Sequence, residues 1–200
     1  MTAKDKNKPG KEDQQIIPFA NAQIWEQWLE QNHLEANGIW LQFYKKGSGI
    51  ASVTYPEALD VALCYGWIDA QLKSIDELSY KQHFTPRRPK SIWSKRNIEH
   101  IARLTTEGRM KPTGIKQVEA AKSDGRWEQA YDSPGNMVMP EDFLAELTKD
   151  KKAFTFYESL GKVNKYAICW RIQTAKRPET REKRMKEIIE MLSKGVKFHM

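Results

Sequence analysis

Cysteine is nearly missing from this chain: Cys64 and Cys169 are the only two in 200 residues. Both lie inside apolar helical patterns, "ALDVALCYGW" and "KYAICWRI", where they read as buried thiols, and a disulfide framework is not indicated. Histidine is also scarce. His33, His83, His100 and His199 show no ligand spacing, so neither a metal nor another cofactor is expected. C-x-x-C, H-x-x-x-H, G-x-x-x-x-G-K-[ST] and G-x-S-x-G are all absent, which removes the familiar redox, zinc, nucleotide-hydrolase and serine-hydrolase signatures. No apolar run is long enough to span a bilayer. The opening "MTAKDKNKPGKEDQQ" has charge without the apolar stretch of a signal peptide, and the expected compartment is the cytoplasm.

What is present belongs to a folded protein: 40% hydrophobic residues, 30% charged residues and seven tryptophans. The length suits one domain or two small units sharing a core. A net charge of +7 favours anionic partners: nucleic acid, nucleotides or an acidic membrane surface. Residues 1–17 read as a disordered tail. Ile24, Trp25, Trp28 and Leu29 then recur at helical spacing behind a capping Asn21. "GIWLQFYKK" reads as a strand. Thr54 and Glu57 form a T-x-x-E box heading the helix "YPEALDVALCY", and Gly66 stands at its end. "WIDAQLKSI" and "YKQHFTPRR", joined by "DELS", predict a hairpin. Beyond Pro89 helical periodicity dominates, ending in a stripe of Met185, Ile188, Ile189 and Leu192. The expected fold is α+β: a small antiparallel β-sheet with flanking helices over 18–96, then a helical region over 97–200 that packs on it, the two forming one compact unit.

Alternation along the strands sorts their side chains into two rows. With Ile39, Leu41, Phe43, Ile68, Ala70, Leu72, Tyr80, Gln82 and Phe84 turned inward, the other face collects Trp40, Gln42, Tyr44, Trp67, Asp69, Gln71, His83 and Arg87. That face has two readings. As a binding platform, its rings would stack planar groups, Arg87 would clamp phosphate or carboxylate, and Asp69 would hold His83 in one tautomer. As a covered face, the tryptophans would be core and Asp69 a structural ion pair. "FTPRRPKSIWSKRN" adds Arg87, Arg88, Lys90, Lys95 and Arg96 around Trp93, the mixture that a phosphate-tracking surface requires, although a solvated basic loop reads equally. The candidate ligand-binding residues are Trp67, Asp69, Gln71, His83, Arg87, Arg88, Trp93 and Lys95. Asp69 and His83 are the candidate acid–base pair if the protein is an enzyme.

"EALDVALCYGWIDAQLKSID", "FTPRRPKSIWSKRN", "AKSDGRW" and "AKRPETREKRMKEIIEMLSKG" resemble the YdeI/OmpD-associated, or bacteriocin-protection, family, from about Phe19 onward. The resemblance implies a role in envelope-stress resistance and association with an outer-membrane porin; it brings no catalytic residues. The leading expectation is a non-enzymatic module that binds an anionic small molecule or nucleic acid in a stress or bacteriocin-protection context. A small-molecule enzyme built on Asp69 and His83, and a scaffold for a protein partner, are the alternatives.

Overall fold

The computed structural model describes residues 14–133 and 135–198. The chain divides into two compact units: the described residues of Met1–Ser91 with Glu99–Trp127, and those of Ile92–Ile98 with Glu128–Met200. The architecture is α+β, as expected.

The first unit is built on a four-stranded sheet. Its strands are β1 (Ile16–Pro18), β2 (Ile39–Tyr44), β3 (Trp67–Ser74) and β4 (Ser79–Pro86), in spatial order β1-β2-β4-β3. The β2–β4 and β4–β3 pairs are antiparallel, and β1 joins β2 in parallel, which makes the sheet mixed. Residues 16 and 17, assigned above to a tail, thus belong to the sheet; 1–13 lie outside the described residues. β1 is short and carries Pro18 at an edge, where a missing N–H costs no ladder bond.

Helix α1 (Ala22–Asn32) starts where Asn21 Oδ1 accepts from the Ile24 N–H at 3.0 Å. Helix α2 (Tyr55–Cys64) starts at the predicted box, with the Glu57 carboxylate accepting from the Thr54 N–H at 2.9 Å and its hydroxyl at 2.7 Å. The β3–β4 turn is closed by Asp76, whose Oδ1 accepts from the Ser79 hydroxyl and from the Leu78 and Ser79 N–H groups. Those bonds, the Ser79 hydroxyl first, hold the Asp76 carboxyl below its usual range.

One sheet face forms the core. Ile39, Leu41, Phe43 and Phe84 lie on it, and Trp25 of α1 meets Phe84 and Trp67 at centroid distances of 5.8 and 6.5 Å. Trp25 is anchored by its indole N–H, which donates to the Ala58 carbonyl of α2 at 3.1 Å.

The unit also contains most of α3 (Lys95–Thr106) and all of α4 (Pro112–Ser123), which the sequence reading grouped with the helical half. The reason is a backbone contact. A Cβ at Gly114 would stand 2.2 Å from the Cys64 carbonyl oxygen, so α4 lies on the end of α2 at a distance that only glycine permits. Gly66, at φ +76°, ends α2 beneath Thr113.

The second unit holds α5 (Glu141–Leu147), α6 (Lys151–Ser159), α7 (Lys162–Gln173) and α8 (Pro178–Ser193). "PEDFLAELTKDKKAFTFYESL" is two helices, because Asp150 caps α6 by accepting from Lys152 and Ala153 N–H at 3.0 Å. The Met185, Ile188 and Leu192 stripe is buried with Phe143, Leu147, Tyr157, Ile168 and Ile172. Residues 92–98 complete the unit through Ser94, which bridges Tyr131, while Lys95 Nζ pairs with Asp132 at 2.6 Å.

Candidate functional site: a groove on the second sheet face

The face opposite the core is set by the β2–β4 register. Trp40 pairs with His83 and Gln42 with Lys81, so these four side chains share it. On β3, Ile68 opposes Thr85 and joins them, whereas Trp67 and Asp69 oppose Pro86 and Phe84 and turn to the core side. A β-bulge between Asp69 and Leu72 then changes phase, so that Leu72 opposes Gln82 on the core side and Lys73 opposes Lys81 on the groove side. Gln82 fits the bulge, donating from Nε2 to the Ala70 carbonyl at 2.9 Å.

This register corrects the expected platform. Trp67 is 1% exposed and belongs to the aromatic core, with its indole N–H on the His33 carbonyl. Asp69 accepts from the Tyr55 hydroxyl at 3.0 Å on the same side. His83 therefore lies across the sheet from Asp69, and the two form no acid–base pair. Gln71 is exposed within the bulged segment. Arg87 is 6% exposed and donates to the Ser91 hydroxyl at 3.3 Å. Trp93, 2% exposed, and Lys95 belong to the second unit. Of the eight candidates, His83 and Arg88 come together.

They do so in a cavity of about 500 Å³ walled by Gln14, Asn37, Ile68, Ala70, His83, Thr85, Pro86, Arg88 and Ser91. His83 is 3% exposed, and its Nε2 lies 2.6 Å from Gln14 Oε1, so the residues leading into β1 are tied to the site by that bond. Gly38, at φ +146°, makes the junction possible: a Cβ there would stand 2.8 Å from His83 Nε2 and 3.0 Å from Gln14 Oε1. Arg88 is exposed at the wall, just beyond the buried Arg87. Among the described residues the lining combines the apolar Ile68, Ala70 and Pro86 with a guanidinium, an imidazole, two amides and two hydroxyls, and holds no carboxylate. Such a set donates hydrogen bonds to an anion without a competing negative charge.

Beside the cavity, Trp40 is 2% exposed beneath two lysines, with Lys81 Nζ 4.8 Å and Lys73 Nζ 5.5 Å from its ring centroid. Gln14 carries no signal of its own in the sequence, since it stands in an apparent tail. Gly38 was visible as the residue before a strand, without its role.

The first unit is therefore a small mixed-sheet α+β domain with one face in the core and, on the other, a largely apolar groove that carries one exposed cation, Arg88. Residues 17–117, 101 of the 200, match a domain of unknown function (DUF8412), and the chain belongs to that family. Residues 136–195 match the family described as Bacteriocin-protection, YdeI or OmpD-Associated, so the resemblance noted in the sequence holds over the C-terminal part. No curated protein and no solved structure matches the chain. No helix among the described residues is long and apolar enough to cross a membrane.

Proposed function

We propose that the first unit is a binding module for a small anionic ligand, phosphate- or carboxylate-bearing, held in the groove by Arg88 with His83 at its floor. The observation that carries this reading is the convergence of one guanidinium, one imidazole and several neutral donors on one cavity, with no acid among the described residues that line it. A single-stranded nucleic acid fits less well. Stacking needs exposed rings, and Trp40, Trp67 and Trp93 are all buried. The reading is non-enzymatic, since Asp69, the acid expected to work with His83, faces the other way. The C-terminal family match supports a bacteriocin-protection or stress context, and two free, buried cysteines suit the reducing cytoplasm.

Calorimetric titration of the full chain with inorganic phosphate, at low and moderate salt, tests the proposal. Arg88→Ala is expected to weaken binding about tenfold, the value of one charge-assisted hydrogen bond, and to leave the fold intact. Unchanged affinity in that variant would remove Arg88, and the reading with it.

A further inference from the structure

A second recess, of about 320 Å³, adjoins the groove. Its walls are Gln14, Gln15, Trp28, Glu35, Ala36, Asn37, Gly38 and Ile39, so Gln14 and Asn37 line both spaces. The two spaces lie on either side of Gly38, which packs against His83 and Gln14 at a distance that excludes a Cβ. Among the described residues their charges are opposite: His83 and Arg88 line the first without an acid, and Glu35 lines the second without a cation. Between the charged ends stand the amide side chains of Gln14, Gln15 and Asn37, a chemistry that both donates and accepts.

We infer that the two recesses form one charge-polarised site for a zwitterion, a short peptide whose carboxylate lies toward Arg88 and whose ammonium lies toward Glu35. The inference rests on the anion-binding reading and adds a cation subsite to it. A polyanion would meet Glu35 at the far end and be repelled; a peptide meets attraction at both ends and amide partners along its length. Peptide N–H and C=O groups match the Gln and Asn side chains, which is why this class is favoured over a plain dicarboxylate.

The test compares triglycine, N-acetyl-triglycine and inorganic phosphate on the full chain by calorimetry. Triglycine is expected to bind about fivefold more tightly than its acetylated form, the upper range for an exposed ion pair. Glu35→Gln, at an exposed position, should bring the two peptides to the same affinity while leaving phosphate binding unchanged. Arg88→Ala should weaken all three. Gly38→Ala should weaken both peptides, because its new methyl displaces the His83–Gln14 pair. Equal affinities for free and acetylated peptide in the parent chain would overturn the ammonium subsite. Phosphate binding without binding of either peptide would overturn the zwitterion and leave the anion reading standing. No binding of any of the three would overturn both.

Discussion

Arg87 and Arg88 are neighbours in sequence with different surroundings. Arg87 is buried, its N–H donates to the Gly66 carbonyl at 3.0 Å and its guanidinium to Ser91. Arg88 is exposed and lines the groove. Arg87→Ala should therefore cost about 2 kcal/mol of stability through lost packing and hydrogen bonding, and Arg88→Ala no more than about 0.5. Urea unfolding followed by tryptophan fluorescence measures both, and equal losses would show that the two arginines share one environment. His83 belongs with Arg87 in burial and with Arg88 in position, which makes it the floor of the groove rather than a freely accessible imidazole.

Between elements, the tightest constraint is glycine. Replacing Gly114 by alanine puts a methyl into the Cys64 carbonyl, and α4 must move away from α2. The expected loss is about 3 kcal/mol, at the upper end for overpacking; thermal unfolding by circular dichroism checks it, and a melting temperature within a degree of the parent would contradict the contact. The elements also divide by how readable they were. β2, β4, α1 and α2 carried strong alternation, an Asn cap and a T-x-x-E box, and the sequence placed them. β1 was hidden, because three residues beside a polar stretch have no period to detect and gain their strand only by pairing with β2. β3 was placed but turned over. Its Ile68, Ala70 and Leu72 looked like one apolar row, and the bulge puts Leu72 on the opposite side from Ile68. That one phase change separated Asp69 from His83 and dissolved the expected catalytic pair. The groove was half legible: its cation and imidazole could be named, while Gln14 and Asn37 arrive only through tertiary structure.

Taken whole, the molecule carries a formal charge of +7, and its ionisable groups define a pH range of stability. The carboxyls of Glu57, Asp142 and Asp150 are held below their ordinary values, by the Thr54 hydroxyl, the Arg181 guanidinium and the Ala153 N–H respectively. A depressed carboxyl binds fewer protons folded than unfolded, so its contribution is complete above the unfolded value and disappears as pH falls through the lowered one. The unfolded values are 4.5 for Glu57 and 3.8 for the two aspartates. On the alkaline side, burial pushes the Cys64 and Cys169 thiols from 9.0 to about 11. There the folded chain keeps protons that the unfolded chain releases, and stability falls as pH rises above 9. Melting temperature against pH should show a plateau near neutrality with declines below about pH 4 and above about pH 9; a flat profile from pH 3 to 10 would contradict both sets of shifts. Residues 92–98 belong to the second unit, yet their bridge partner Tyr131 comes 37 residues after Ser94. At ~5–20 residues per second, this segment leaves the ribosome a few seconds before its partner exists. The first unit, completed by Trp127, must finish folding while a seven-residue stretch in the middle of its sequence, 92–98, is held back for the other unit, and a nascent chain stalled before Tyr131 would offer Trp93 to whichever chaperone is nearest.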